Sequence, residues 1–198
     1  MIFQSFLTMA KVKKVGIKKK KKSWFNIISP KSFGSVELGE TLAVDKAAVV
    51  GKNITMNLSL ITKSGKDQKV NMSFVVEGVK EDKAHTKAIG FKLEPSYVKR
   101  MARKGKSKIA TSFNLKSKDD IDLVLKVLII TKTKITRGVR ADVHHACKKY
   151  VEEQVTKYSF ENLLGVVVSK ELQVAIKKEL SSKVYPLSTV VIKEVKLK

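Results

Sequence analysis

Two places in the chain hold side chains of the types that do covalent or metal chemistry. His144, His145 and Cys147 stand close together, and helical spacing brings His144 and Cys147 toward one face, as a metal pair or a thiol–imidazole pair would need. A closed zinc site takes four ligands, and no second cluster supplies the others. A cysteine nucleophile needs a separately placed base and an orienting group, and His85 is the one remaining histidine. Cys147 also falls on an apolar helical stripe, so it reads as a core residue. Asp119, Asp120 and Asp122 form the only acidic cluster. They precede a strand, where a turn or cap role is expected. There is no phosphate-cradling P-loop, dinucleotide fingerprint or paired CxxC motif. No catalytic residue, cofactor, metal or small-molecule substrate is expected.

The chemistry the chain does carry is cationic. Its 41 Lys and Arg against 18 Asp and Glu leave a net charge of +23. Such an excess repels itself until a polyanion neutralises it. Eight lysines and no acid lie between Lys11 and Lys22. These are Lys11, Lys13, Lys14, Lys18, Lys19, Lys20, Lys21 and Lys22. Each lysine that neutralises a phosphate releases condensed counterion, so an arm of this kind gains affinity from many weak contacts. A localisation signal or a solvated tail has the same composition. Trp24 and Phe25 end the arm, either to stack on an unpaired base or to anchor the arm as core aromatics; anchoring is the favoured role. Trp24 and Lys31 are nonetheless kept as candidate contacts. Lys99, Arg100, Arg103, Lys104, Lys106 and Lys108 form a second acid-free cluster around Gly105, expected as a basic loop between two strands that reads a phosphate backbone. Arg137 and Arg140 open a helix, with Lys148 and Lys149 further along it. Arginine grips phosphate bidentately, and an anionic partner offsets the cost of placing cations at a helix start.

These residues need a scaffold to hold them. A chain of 198 residues buries roughly 70% of its unfolded surface without staples, and a single cysteine fits a reducing compartment. The longest apolar run, Leu123 to Ile130, is interrupted by Lys126 and is far short of the ~20 residues that span a bilayer. A secretory signal is not expected at MIFQSFLT, and Met9 reads as a natural start. Lys11–Lys22 is too charged and too poor in apolar residues to order itself. From Val36 to Ile135 the apolar period is two: Ile54, Met56, Leu58 and Leu60; Val70, Met72, Phe74 and Val76; Ile89, Phe91 and Leu93; Ile109, Thr111, Phe113 and Leu115. Ile121 to Ile130 is apolar on both faces toward its end and is predicted to be a central, covered strand. Ser64 to Asp67 is predicted to be a hairpin turn.

After Thr136 the period becomes helical, with Val139, Val143, Cys147, Tyr150, Val151, Gln154, Val155 and Tyr158 on one face. A second helical region runs from Phe160 to Lys183, divisible in two with Ser159 and Ser169 as N-caps. Pro186 stops it, and Thr189 to Leu197 alternates as a last strand. The predicted class is α+β. A disordered basic arm (1–22) leads into a β-barrel-like body of six to seven strands (23–135), followed by a helical C-terminal region with a closing strand (136–198).

Taken in order, these segments resemble a known family. The lysine tract runs into Lys22-Ser23-Trp24-Phe25, then Pro30 and Phe33, then Gly39-Glu40-Thr41-Leu42. A basic segment with Arg137 and Arg140 opens a helix, a second helical region follows, and Tyr185-Pro186-Leu187 leads into a basic final strand. The whole is similar to the S3Ae class of small-subunit ribosomal proteins, from Met9 to the end, with the Arg137–Arg140 region the loosest match. The short C-terminal end points to an archaeal type, and residues 1–8 have no counterpart in the pattern. The resemblance implies a structural protein on small-subunit ribosomal RNA, beside neighbouring small-subunit proteins, cytoplasmic and ribosome-bound. It further implies a place on the platform near the messenger exit and the RNA 3′ end, with a part in assembly and initiation. From the residues alone, a DNA-packaging or chromatin-associated role is the alternative, and a membrane partner is not expected.

Overall fold

The computed structural model describes residues 21–101 and 104–197. Seven strands precede the long helices and one follows them: β1 (Ser23–Ile28), β2 (Glu37–Ala43), β3 (Asn53–Asn57), β4 (Val70–Lys80), β5 (Lys83–Leu93), β6 (Lys108–Lys116), β7 (Asp122–Thr131) and β8 (Leu187–Leu197). All eight belong to one sheet, in the order β2-β1-β5-β8-β7-β6, with β3 and β4 branching off at β5. The branch arises because β4 pairs along nearly the whole of β5, while the opposite edge of β5 is shared. β1 takes Lys83–His85 in parallel, and β8 takes Gly90–Lys92 in antiparallel pairing. Gly90 lies where three strands crowd together. A Cβ there would come within 3.1 Å of the Val195 carbonyl oxygen.

The α+β class is as expected, but the barrel is not. No pairing closes the sheet, and among the described residues β2, β3 and β6 each have one unpaired edge. A barrel removes its edges by closing on itself. Here the inner face is covered by helices instead. α3 (Arg137–Val155) lies against β6, and α5 (Glu171–Lys183) lies against β8. α4 (Phe160–Val168) joins them and buries Phe160, Leu163, Leu164 and Val167. α3 contributes Val143, Cys147, Val151 and Val155, the middle of the stripe read from the sequence. Val127 to Ile130 of β7 are buried without interruption, as expected for a strand between β6 and β8 with cover on both faces.

Three local expectations need correction. The alternation through Leu60 does not continue as a strand. β3 stops at Asn57, whose side chain accepts from the Ser59 N–H and starts the one-turn helix α1 (Leu58–Thr62). Leu58 and Ile61 are then buried, three apart on a helical face, and Leu60 is exposed. Ser64 to Asp67 is accordingly part of the longer, helical β3–β4 connection rather than a tight hairpin turn. Ser169 ends α4, and the residue before α5 is Lys170, held at a left-handed φ of 66°. Ser159 does precede α4. Its hydroxyl donates to Asp119, which also accepts the Phe160 N–H, so an acidic side chain from the β6–β7 turn performs the capping.

Candidate nucleic-acid interface

The second basic cluster is not a plain loop between strands. Pro95 to Met101 form a short helix, α2. Proline's fixed φ suits its first position. Val98 is buried and Met101 half-buried, which seats α2 on the sheet and leaves Lys99 and Arg100 exposed in its last turn. Cations there complement the helix dipole. Gly105, at φ +85°, turns the chain into β6 through a conformation that a residue with a Cβ rarely adopts. Lys104, Lys106 and Lys108 are exposed around the buried Ser107.

Ser107 is where separate basic segments meet. Its N–H donates to the Thr131 hydroxyl at 3.0 Å, and its carbonyl accepts the Thr131 N–H at 3.1 Å. Its hydroxyl accepts the Ile135 N–H at 3.1 Å. The Thr131 hydroxyl in turn lies 2.6 Å from the Thr133 carbonyl. Thr133 is also hydrogen-bonded to the Tyr185 hydroxyl. These bonds pin the segment from Lys132 to Thr136 beside the start of β6. Lys104, Lys106, Lys108, Lys132, Lys134 and Arg137, all exposed, therefore share one corner, with Arg140 one turn further along α3 on the same side. Lys106 reaches across to donate to Ser188 at 3.2 Å, so the first residues of β8 join the corner.

Among the described residues, none of these cations pairs with a carboxylate. Two unit charges ~10 Å apart in water repel by only about 0.4 kcal/mol before salt screening. The corner is therefore tolerable in solution, yet each member is available to an anion. Several lysines elsewhere are engaged with acids. Lys126 sits 2.7 Å from Glu194 on the neighbouring strand and, chiefly through that hydrogen bond, holds the glutamate below its usual range. Lys87 faces Glu77, and Lys46 faces Asp82.

Lys148 and Lys149 do not join the corner. They lie about 16 Å along α3 from Arg137 at the usual rise per residue. Lys148 pairs with Glu152 at 3.8 Å. Lys149 shares a hollow with Glu153, Glu179 and Lys183. Glu179 raises the pKa of Lys183 by hydrogen bonding to it.

At the other end of the chain, Lys21 and Lys22 are exposed directly ahead of β1, and Lys31 is exposed in a short helical turn after it. The two aromatics part company. Phe25 points into the core, while Trp24 is 63% exposed opposite the part-exposed Leu42 of β2. Strand alternation requires this split, so Trp24 does not anchor the arm in the core. Lys11, Lys13, Lys14, Lys18, Lys19, Lys20 and Arg103, together with the disorder expected of the arm, lie outside the described residues.

The histidine–cysteine group has another role. Cys147 is fully buried on α3, and burial pushes its thiol up to about 12, far from a reactive thiolate at neutral pH. His144 rests against the Phe113 ring at 5.7 Å. Among the described residues, no three His, Cys, Asp or Glu side chains gather as a metal site would require. Asp119 is a helix cap, held below the usual carboxylate range by the Ser159 hydroxyl and then the Phe160 N–H. No described helix is long and apolar enough to cross a membrane.

The basic surface also contains residues outside the clusters that the sequence singles out. Lys132 and Lys134 lie in a stretch from Leu123 to Ala141 that contains no acid, a signal legible in the sequence. Lys69, Lys170 and Lys177 lie in three separate stretches of sequence, each with an acid within three residues. Only the fold brings them beside Tyr97 and α2.

The profile of the ribosomal S3Ae family matches residues 10–198. Among curated proteins, the small ribosomal subunit protein eS1 of Nanoarchaeum equitans is 30% identical over 167 residues, covering 84% of each chain. The eS1 protein of Methanobrevibacter smithii is 30% identical over 171 residues, 86% of this chain and 88% of its own. That of Methanospirillum hungatei is 31% identical over 171 residues, 86% of this chain and 84% of its own.

Proposed function

The chain belongs to the ribosomal S3Ae family, a family of ribosomal structural proteins and not of enzymes, and from that premise we propose that it is a structural constituent of the small ribosomal subunit that holds ribosomal RNA at several points. The observation that carries the proposal is the acid-free corner where the start of β6 and the segment entering α3 are bonded together, with α2 beside Lys106. Its exposed cations, fixed by neutral hydrogen bonds, match a polyanion with closely spaced charges. In this reading the basic segment 1–22 tracks the backbone. The sheet of 23–135 presents Lys99, Arg100, Lys104, Lys106 and Lys108, and 136–198 adds Arg137 and Arg140. Trp24, exposed beside the arm, offers a face on which an unpaired base stacks. Lys148 and Lys149 are secondary, given the acids beside them.

The finer part of the proposal is a seat on the platform, near the messenger exit and the 3′ end of the small-subunit RNA, among neighbouring small-subunit proteins and in the cytoplasm. It rests on family likeness. Sedimentation of the native protein from a lysate tests the class. The expected result is co-migration with small subunits and release at high salt. Absence from that fraction refutes it. Competition between structured ribosomal RNA and duplex DNA tests the packaging alternative, which equal competition would favour.

A further inference from the structure

Beside the basic corner the fold leaves two adjoining cavities, of about 260 and 370 Å³. They share Lys69, Tyr97, Met101, Ser188 and Thr189. The first runs inward between β5, β8 and the α4–α5 turn. Its walls are largely apolar, with Phe91, Leu93, Val167 and Val168 on the inside and Val174 at the rim. The second opens toward the corner and is lined by Arg100 and Lys106. Lys170 and Lys177 add two further cations to the first. Neither lining contains an acidic residue.

We propose that the joined cavity receives one unpaired nucleotide of the bound RNA, its base against the apolar wall and its phosphate at Lys69, Arg100 and Lys106. This rests on the RNA-binding reading above and deepens it. The lining suits a ligand that is apolar at one end and anionic at the other, and a nucleotide joins a base face to a phosphate in that way. It must also come from the molecule on the corner, because Lys106 belongs to both and Arg100 lines the same cavity. Tyr97 is already oriented, with the Lys69 ammonium 4.5 Å from its ring centre, a cation–π contact that places the lysine at the boundary between the two cavities. Val174 is 65% exposed at the rim, an apolar side chain that a base would cover. A base inside a duplex cannot enter, so the cavity selects bulged or looped RNA.

The test uses the full chain and two RNA hairpins of equal length, one fully paired in its stem and one carrying a two-nucleotide bulge, with affinity read by fluorescence anisotropy. The wild type is expected to prefer the bulged hairpin by about tenfold, within the range carried by one stacked base. Val174→Glu changes an exposed position and places an anion at the mouth. Tyr97→Leu keeps the bulk and removes the ring. Both are expected to abolish the preference while affinity for the paired hairpin stays within about threefold. Equal wild-type affinity for the two hairpins, with a steep salt dependence, overturns the cavity proposal and leaves the RNA-binding reading standing. A preference that survives both substitutions overturns it as well. A wild type that binds neither hairpin refutes both.

Discussion

Replacing Thr131 by valine tests whether neutral hydrogen bonds assemble the basic corner. The side chain is fully buried, and valine matches it in shape, so the change isolates the hydroxyl. That hydroxyl has one proton, which is nearest the Thr133 carbonyl at 2.6 Å, and it accepts the Ser107 N–H at 3.0 Å. Leaving the buried N–H without a partner costs about 1–3 kcal/mol, and the lost bond to the carbonyl adds about 1. The buried methyl returns about 0.8 kcal/mol. The net expectation for Thr131→Val is a loss of about 2 kcal/mol. With a urea m-value of about 2 kcal/mol/M, the unfolding midpoint falls by about 1 M. RNA affinity is also expected to fall, because the segment from Lys132 to Thr136 must be ordered again on binding. No charge has changed, so the slope of log affinity against log salt should stay as it was. A midpoint within about 0.2 M of wild type, together with unchanged affinity, would refute the argument that this hydroxyl holds the corner.

Neutralising the corner should give the opposite pattern. Lys104→Ala, Lys134→Ala and Arg137→Ala are each expected to lower the salt slope by up to about 0.9 on duplex-like RNA, against almost no change for Lys149→Ala beside Glu153 and Glu179; titrations at several salt concentrations read this directly. Cys147 sets an alkaline limit. Its folded pKa is raised from 9.0 to about 12, so above pH ~9 the unfolded state gives up a proton that the folded state keeps. Stability is thus complete below the unfolded pKa and falls as pH rises toward the folded one. Cys147→Ala, though less stable at neutral pH for lack of the buried sulfur, should show a shallower decline between pH 9 and 12 in urea titrations. In the β4–β5 hairpin, Glu81 and Asp82 both carry positive φ, at 48° and 61°, a turn that favours Asn-Gly. Glu81→Asn with Asp82→Gly should therefore raise stability by about 1–2 kcal/mol, despite the loss of the exposed Lys46–Asp82 pair, in thermal or urea unfolding.

Much of the fold is legible because burial repeats with the period of the element. Ile109, Thr111, Phe113 and Leu115 alternate in the sequence and are buried in β6, and the stripe from Val143 to Val155 does the same on α3. What is not legible depends on partners distant in sequence. Met56 and Leu58 keep a strand's alternation, yet Asn57 can cap a helix, and the cap prevails because Leu58 and Ile61 find a core there. In β5 the buried residues move from Ala84, Thr86 and Ala88 to Phe91 and Leu93. The register against β4 slips between Ala88 and Gly90, so no single period describes the strand. Whether a sheet closes or stays open is set by its end-to-end pairing, and local alternation is the same in either case.

The candidate site divides along the same line. Charge is a local property, so the clusters at Lys99–Lys108 and Arg137–Arg140 are evident from composition. Their meeting is not, because it depends on Ser107, Thr131 and Ile135, three uncharged residues whose hydrogen bonds span up to 28 positions of sequence. Cations cannot gather themselves, since each added lysine repels the rest. The attraction that holds the corner must come from groups without charge, buried where water does not compete for their bonds. A basic surface built this way presents its charges before any polyanion arrives, and on the proposed function the RNA need not supply the energy to collect them. By the same logic Lys148 and Lys149, equally basic in sequence, are expected to contribute less. Their turn of α3 faces Glu152, Glu153 and Glu179, and a cation that already has an anion beside it releases little when a phosphate replaces it.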